Sequence, residues 1–390
     1  MDLKNHPSDY CKAPKHRLKT FQSIGYFLKA QITTIAFIAF TGISIYQEPI
    51  VPLCRLEAQG FWGVFDKPHL TEVITLFLFE TEQKVCEVGG VRFGGQPGQY
   101  PTVICSSIFQ KGDRVFEGKR KEGFDEKRAE EMLKTQDRLW AETGVPGMAD
   151  VVANTGKEFE RYIDFVTSVT DMPFCVDAWQ MKPKLAGAAY CAEKGLLDRM
   201  FYNSITVWEE DLDTEIREIV EIGVKHVLLV AFDMADQMPL GRISGTQRLL
   251  DAMEKAGARF ESVFVDTSVM NGPATAFCGV ANRMIKEKWG LPTASAPSNG
   301  SYMWKQAQEL WGFKGWSAAD AGLESLAAFM YHDMIFSGPM AGATRIFPAV
   351  AMADAFTATA AFAETNKLPE SEDHPLNRLF PDFVDQLKGM

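Results

Sequence analysis

Histidine is scarce in this chain, six in 390 residues, and none stands in an H-E-x-x-H pair or beside a cysteine, so no metal site is expected. The seven cysteines are scattered and make no C-x-x-C pair, and Cys105 and Cys175 fall inside apolar runs that read as buried strands. An odd number of buried thiols suits a reducing cytoplasm better than a disulfide framework. A basic excess is also missing. The net charge is −11, and residues 1–75, with eight Lys/Arg and six Asp/Glu, carry +2 of it, which leaves −13 for the rest. An acidic body of that kind argues against a nucleic-acid partner, which needs a basic surface. No G-x-S-x-G elbow exists. His332, Asp333 and Ser337 therefore read as ordinary helix surface rather than as a hydrolase triad.

What is present is apolar residue in quantity, 46% of the chain with 28 Phe. That suffices for a large core, and a barrel domain of typical size fits from about residue 85 onward. The organisation read from this is an extension over 1–75 and a barrel over 76–390. In the extension, Lys12, Lys15, Arg17, Lys19 and Lys29 precede an apolar stretch, Ile32 to Tyr46, that is interrupted by Thr33, Thr34, Thr41, Gly42 and Ser44. A spanning helix needs ~20 mostly apolar residues. The stretch falls short of that, and its long lead-in does not suit a signal peptide. It reads as an irregular, poorly ordered extension, with a peripheral membrane contact as the alternative.

From residue 85 the pattern becomes regular. Val85–Phe93 alternates around Gly89-Gly90, a hairpin signal, and this hairpin is placed as a plug at the amino-terminal end of a barrel. The Gly94-Gly95-Gln96-Pro97-Gly98 loop precedes a strand instead of joining a strand to a helix, so it reads as a turn and not as a phosphate cradle. Strands are then expected at Thr102–Ile108, Met148–Val152, Pro173–Val176, Arg199–Asn203, His226–Phe232, Ser262–Asp266, Pro292–Ala296 and Gly342–Phe347. Helical periodicity lies between them. One helix opens at Asp125 and another at a Thr155/Glu158 capping box. A third is read from about Lys182 to Lys194 and a fourth through Leu212, Ile216, Ile219 and Val220; others follow over Gln247–Ala256 and Ala274–Trp289, a longer excursion spans Tyr302–Phe336, and Val350–Glu364 closes the ring. Gly follows five of the helices, where a left-handed residue is wanted. Eight strand–helix pairs predict an α/β fold, a (β/α)8 TIM barrel. The open doubly wound sheet is disfavoured because no G-x-G-x-x-G follows the first strand.

Six of these apolar runs end in, or lead into, Asp150, Asp177, Asn203, Asp233, Asp266 and Asn299. In such barrels the chemistry sits at the carboxyl ends of the strands. Asp177, Asn203, Asp266 and Asn299 stand out. Two carboxylates and two amides around one mouth suit a flat heterocycle, because a carboxylate accepts paired hydrogen bonds from a guanidine-like edge. For any one of them alone, capping a helix is as good a reading; together they favour a ligand site. Asp150 and Asp233 are weaker candidates, and Asn154 with Thr155 reads as a helix cap.

Phe174–Cys191, F-C-V-D-A-W-Q-M-K-P-K-L-A-G-A-A-Y-C, with R-M-F-Y-N-S at 199–204, resembles the third and fourth strands of the pterin-binding barrels. These include dihydropteroate synthase and the corrinoid-dependent folate methyltransferases. E-V-G-G-V-R-F-G-G-Q-P-G at 87–98, S-I-F at 107–109, Y-I-D-F-V at 162–166 and Y-N-S-I at 202–205 narrow the resemblance to the H-subunit family of tetrahydromethanopterin S-methyltransferase. It covers roughly residues 80–365 and lies nearest the soluble members that methylate tetrahydrofolate from a methyl-corrinoid protein, such as the glycine betaine type. The resemblance implies that Asp177, Asn203 and Asp266 grip the pterin ring, and that Asn299 is the amide approaching the reacting nitrogen, N5. It further implies a methyl transfer from a methyl-Co(III) corrinoid protein to tetrahydrofolate or tetrahydromethanopterin, and a homodimer. The chain lacks the D-x-H-x-x-G run of a corrinoid carrier, so cobalamin is expected on a partner. Two alternatives stand beside this: a non-catalytic pterin-binding component of a larger complex, and a dihydropteroate synthase-like enzyme. The second is disfavoured because Ser295–Asn299 and Arg345-Ile346-Phe347 stand where a Lys and an Arg-x-His are wanted.

Overall fold

The computed structural model describes residues 75–116 and 123–390; the apolar stretch 32–46 and nearly all of the extension lie outside the described residues. The described part belongs to one compact unit, Val73–Met390.

It opens with the expected hairpin. Strands β1 (Val85–Val88) and β2 (Val91–Gly94) pair antiparallel with Val88 opposite Val91. Gly89 and Gly90 turn the chain at φ 55° and 81°, the left-handed values that a two-residue hairpin loop demands. Alternation buries Cys86, Val88, Val91 and Phe93 on one face. Phe93 meets Phe201 and Phe264 edge-on, with centroids 5.7 and 5.1 Å apart, inside the barrel's amino-terminal end.

Eight parallel strands close the barrel: β3 (Val103–Ile108), β4 (Gly147–Val152), β5 (Phe174–Asp177), β6 (Met200–Thr206), β7 (His226–Val230), β8 (Ser262–Asp266), β9 (Thr293–Ser295) and β10 (Met334–Pro339), with β10 pairing β3. The helices that wrap it are α1 (Glu126–Thr143), α2 (Gly156–Val169), α3 (Met181–Glu193), α4 (Leu212–Ile222), α5 (Pro239–Lys255), α6 (Thr275–Trp289), α7 (Pro297–Met303), α8 (Gln306–Phe329) and α9 (Ala343–Thr365). Their ends follow local chemistry. The Asp125 carboxylate caps α1 by accepting from the Arg128 amide, and Gly144 closes it at φ 78°. Thr155 Oγ accepts from the Glu158 amide, while the Glu158 carboxylate reaches back to the Asn154 amide.

The strand registers stack the inward side chains in layers of four from alternate strands, as barrel closure requires. From the hairpin end upward these are Met148, Phe201, Phe264 and Met334, then Cys105, Cys175, Leu228 and Ala294, then Asp150, Asn203, Asp266 and Phe336. The lower layers are apolar. Polarity begins at the third.

Two expectations are corrected. The eighth strand is Met334–Pro339, not Gly342–Phe347, which forms a 3-10 turn and the first residues of α9. Met334, Ile335 and Phe336 are buried on both faces, and a short run buried on both sides has no period to separate it from the helix before it. Helix α5 begins at Pro239, eight residues before the expected Gln247. Gly241 and Gly245 suggest a loop, yet a Cβ at Gly245 would lie 2.3 Å from the Ala231 carbonyl oxygen, so the glycine there serves close packing onto β7.

Helix α9 is apolar and long enough to cross a membrane by composition, but its buried face packs on α8 and α1. Beyond it the chain returns through α10 (Pro375–Leu379) and α11 (Pro381–Lys388), seating Leu376 and Val384 against Ala355 and Ala358.

Candidate functional site

The upper layer forms the floor of the mouth. Asp150, Asn203 and Asp266 are 6%, 8% and 7% exposed, so each polar tip is nearly withdrawn from water and faces inward. Asp177 ends β5 one layer higher, on the strand between β4 and β6. Asn203 Nδ2 donates to Asp150 Oδ1 at 3.2 Å. The Asp150 and Asp177 carboxyls are hydrogen-bonded to each other, and burial raises both. Asp150 is pushed well above the carboxylate range by burial and by the Asp177 charge, so it holds the shared proton. Asp177 is raised by burial to about 6, against the pull of Lys184. Burial likewise brings Asp266 up to about 6, opposed by the Ser268 amide at 2.6 Å and by Arg242. At neutral pH the mouth therefore offers two ionised carboxylates, one protonated carboxyl and an amide.

Buried cations behind the strands hold this arrangement, and the sequence reading missed them. Lys184, on α3, is 3% exposed. Its ammonium donates to the Ser204 carbonyl, lies 2.9 Å from Glu215 Oε1 and sits 5.0 Å over the Tyr202 ring. Tyr202 donates to the same Glu215 oxygen at 2.6 Å. The trio clamps β6 from outside at the point where Asn203 points in. Arg242, fully buried on α5, donates to the carbonyls of Thr267 and Ser268 and so fixes the turn after Asp266. The available signal was a lysine inside the motif that begins at Phe174, and an arginine beside two glycines in an otherwise weak helix.

The remaining candidates lie apart from the floor. Asn299 is exposed on the first turn of α7, past the end of β9, with its amide N–H bonded to the Ala296 carbonyl at 3.0 Å. Asp233 is occupied by its own loop: Oδ1 accepts from the Ala235 amide at 2.8 Å and Oδ2 pairs with Arg248 at 3.2 Å. Arg345 begins α9, where it donates to Asp320 at 2.7 Å and to the Tyr302 hydroxyl at 2.9 Å. His332 is not on a helix surface. It is buried just before β10, hydrogen-bonded to the Ala327 carbonyl and the Ser295 hydroxyl, and burial lowers it to about 4, so it is neutral. Its neighbour Asp333 pairs with Lys286 at 2.8 Å.

Around the mouth the successive strand–helix loops expose Trp179, Trp208, Met234, Met238 and Met270, with Trp179 90% exposed, and Trp304 is exposed between α7 and α8. A polar floor thus sits inside an apolar rim.

The comparisons with known proteins bear on the fold and the family. The barrel resembles Xanthomonas albilineans dihydropteroate synthase bound to indole-2-carboxylic acid and 6-chloroguanine, with a TM-score of 0.50 at 14% identity over 71% of this chain and 99% of that one. At that identity the likeness is one of fold. The family model for the tetrahydromethanopterin S-methyltransferase MtrH subunit matches residues 81–367. The chain is 33% identical over 319 residues to the H subunit of that enzyme from Methanopyrus kandleri, covering 76% of this chain and 97% of the relative. It is 32% identical to the H subunit from Methanothermobacter thermautotrophicus, covering 78% of this chain and all of the relative. The chain belongs to the tetrahydromethanopterin S-methyltransferase MtrH family, and its fold is a TIM barrel.

Proposed function

We propose that this chain transfers a methyl group between a methyl-corrinoid protein and N5 of a tetrahydropterin, either tetrahydrofolate or tetrahydromethanopterin. The observation that carries this reading is the convergence of Asp150, Asn203 and Asp266 in one layer with Asp177 directly above. Ionised Asp177 and Asp266 accept from the N–H groups of the pterin ring, and Asn203 offers both a donor and an acceptor. Asn299, on the rim, is the amide that meets N5 as its proton leaves.

The partner's corrinoid supplies an electrophilic methyl group. Transfer to N5 would leave the bonding electron pair on the carrier, while this chain holds N5 toward the methyl group and the N5 proton passes to solvent. No nucleophilic side chain is needed. The protein contributes orientation, which is worth up to ~7–11 kcal/mol in favourable cases, and dipoles fixed around the changing charge. The exposed collar of Trp and Met supports a macromolecular methyl carrier, since a small donor would not need an apolar rim. Exposed Leu326, Met352 and Phe356 on α8 and α9 support a homodimer, and free buried cysteines support a reducing cytoplasm.

A second reading, a pterin-binding component that turns over only within a larger complex, draws on the relatives' designation as subunits of a methyltransferase. One experiment separates the two. The purified chain is mixed with a methylated corrinoid protein and each tetrahydropterin, and the cobalt spectrum is followed. Demethylation with either pterin supports the first reading. Pterin binding by calorimetry without spectral change supports the second, and no binding of either pterin removes both.

A further inference from the structure

Just beneath the polar floor, the inward residues of β3 and β5 are Cys105 and Cys175. Both are fully buried, and their sulfurs lie 3.9 Å apart. Asp150 projects from β4, the strand between them. One ligand atom from each of the three residues lies within 4.8 Å of the others. Neither thiol has a part in pterin binding or methyl transfer as described above.

The sulfur separation decides between the chemistries open to two thiols. A disulfide requires ~2.05 Å, and β4 keeps the two strands apart by two inter-strand spacings of ~4.8 Å each. Two thiolates on one tetrahedral Zn2+ at ~2.3 Å stand about 3.8 Å from each other, which is nearly the distance found. Ser107, the next inward residue on β3 and the lateral partner of Asp150, has a buried hydroxyl without a hydrogen-bond partner. It is a polar group facing the same space.

We propose that Cys105, Cys175 and Asp150 form a site for one thiophilic divalent cation of the Zn2+ class, with the fourth position open toward the mouth. Binding sends the two thiol protons and the Asp150 proton to solvent. Asn203, already donating to Asp150, orients that carboxylate from outside the coordination shell. The site stands on its own residues and does not depend on which methyl donor or pterin the mouth accepts.

The test uses the full-length, untagged, reduced chain. It is loaded with Co2+ to read thiolate-to-cobalt charge-transfer absorption, and with Zn2+ to measure metal retained after gel filtration. The expected result is one retained cation per chain together with the charge-transfer band. Cys105→Ser and Cys175→Ser each at least halve the band and weaken Zn2+ binding by more than about 100-fold, because outer-shell partners alone are worth about 10–100-fold. Cys191→Ala, elsewhere in the core, leaves both readouts intact. A wild-type chain that neither retains zinc nor shows the band overturns the proposal, as does a band of undiminished intensity after either serine substitution. Should the serine variants fail to fold, zinc-edge X-ray absorption of the wild type decides: two sulfur neighbours support the site, and oxygen or nitrogen neighbours alone reject it.

Discussion

Two carboxylates raised to about 6 by burial, Asp177 and Asp266, give the proposed pterin site a pH dependence. Each must be ionised to accept hydrogen bonds from a pterin. Affinity is therefore expected to be flat above about pH 7 and to weaken as pH falls through 6, approaching tenfold per unit for each carboxylate that has to lose its proton. Calorimetry of tetrahydropterin binding between pH 5 and 8 checks the profile; a flat one removes these residues from the contact. Asp266→Asn is expected to cost ~1.5–3 kcal/mol of binding, the worth of a charge-assisted hydrogen bond. Asn299→Ala is expected to behave differently, slowing single-turnover methyl transfer more than it weakens pterin binding. Equal losses in both quantities would deny it a place at N5. At this scale the sequence was informative where a residue ended a strand and mute where its partner was distant in the chain. Asp150, a weak candidate by sequence, shares the floor with Asn203 and Asp266, because register across the four pairings from β4 to β8 sets its height. Asp233, equally plausible by pattern, is taken up by the Ala235 amide and Arg248.

Among the elements, β6 depends on the Lys184–Glu215–Tyr202 trio. Removing one partner of a buried ion pair costs ~3–5 kcal/mol because the other charge is left uncompensated. Lys184→Met should destabilise the fold by that order, and Lys184→Met with Glu215→Gln should recover much of it in a double-mutant cycle by denaturant unfolding. Since Lys184 also draws Asp177 downward, the single variant should shift the pH midpoint of pterin binding upward. A change in stability with no change in that midpoint would mean the lysine only supports the strand. Gly144→Ala is a second case. Its φ is 78°, and an added Cβ would lie 1.9 Å from the Asp373 carbonyl oxygen, so the tail carrying α10 and α11 would have to lift. Element order was largely legible, because capping residues and terminal glycines punctuate the helices. The eighth strand was lost because Met334–Phe336 is apolar on both faces and follows a helix directly. Helix α5 was cut short because glycines placed for close packing look the same in sequence as glycines placed for a turn.

For the whole molecule, buried carboxyls tilt stability against alkali. Burial raises Asp266 to about 6 and Asp354 to about 8, far above their unfolded range near 4. Between those values the native state holds protons that the unfolded chain has released, so stability falls as pH rises through that window and levels off above it. Thermal unfolding should show Tm several degrees lower at pH 8.5 than at pH 6. Asp354→Asn should flatten the upper part of the slope, because an amide can still accept from the Thr102 amide N–H without ionising.

Among the described residues, the stopper that Phe93 forms against Phe201 and Phe264 shuts the amino-terminal end of the barrel, so the polar floor opens only toward the carboxyl ends of the strands. Whatever occupies the floor must enter before a large carrier covers the rim, and it can leave only after that carrier departs. Steady-state kinetics should accordingly be compulsory-ordered, with the small ligand first, and an excess of carrier should slow turnover by barring the way in.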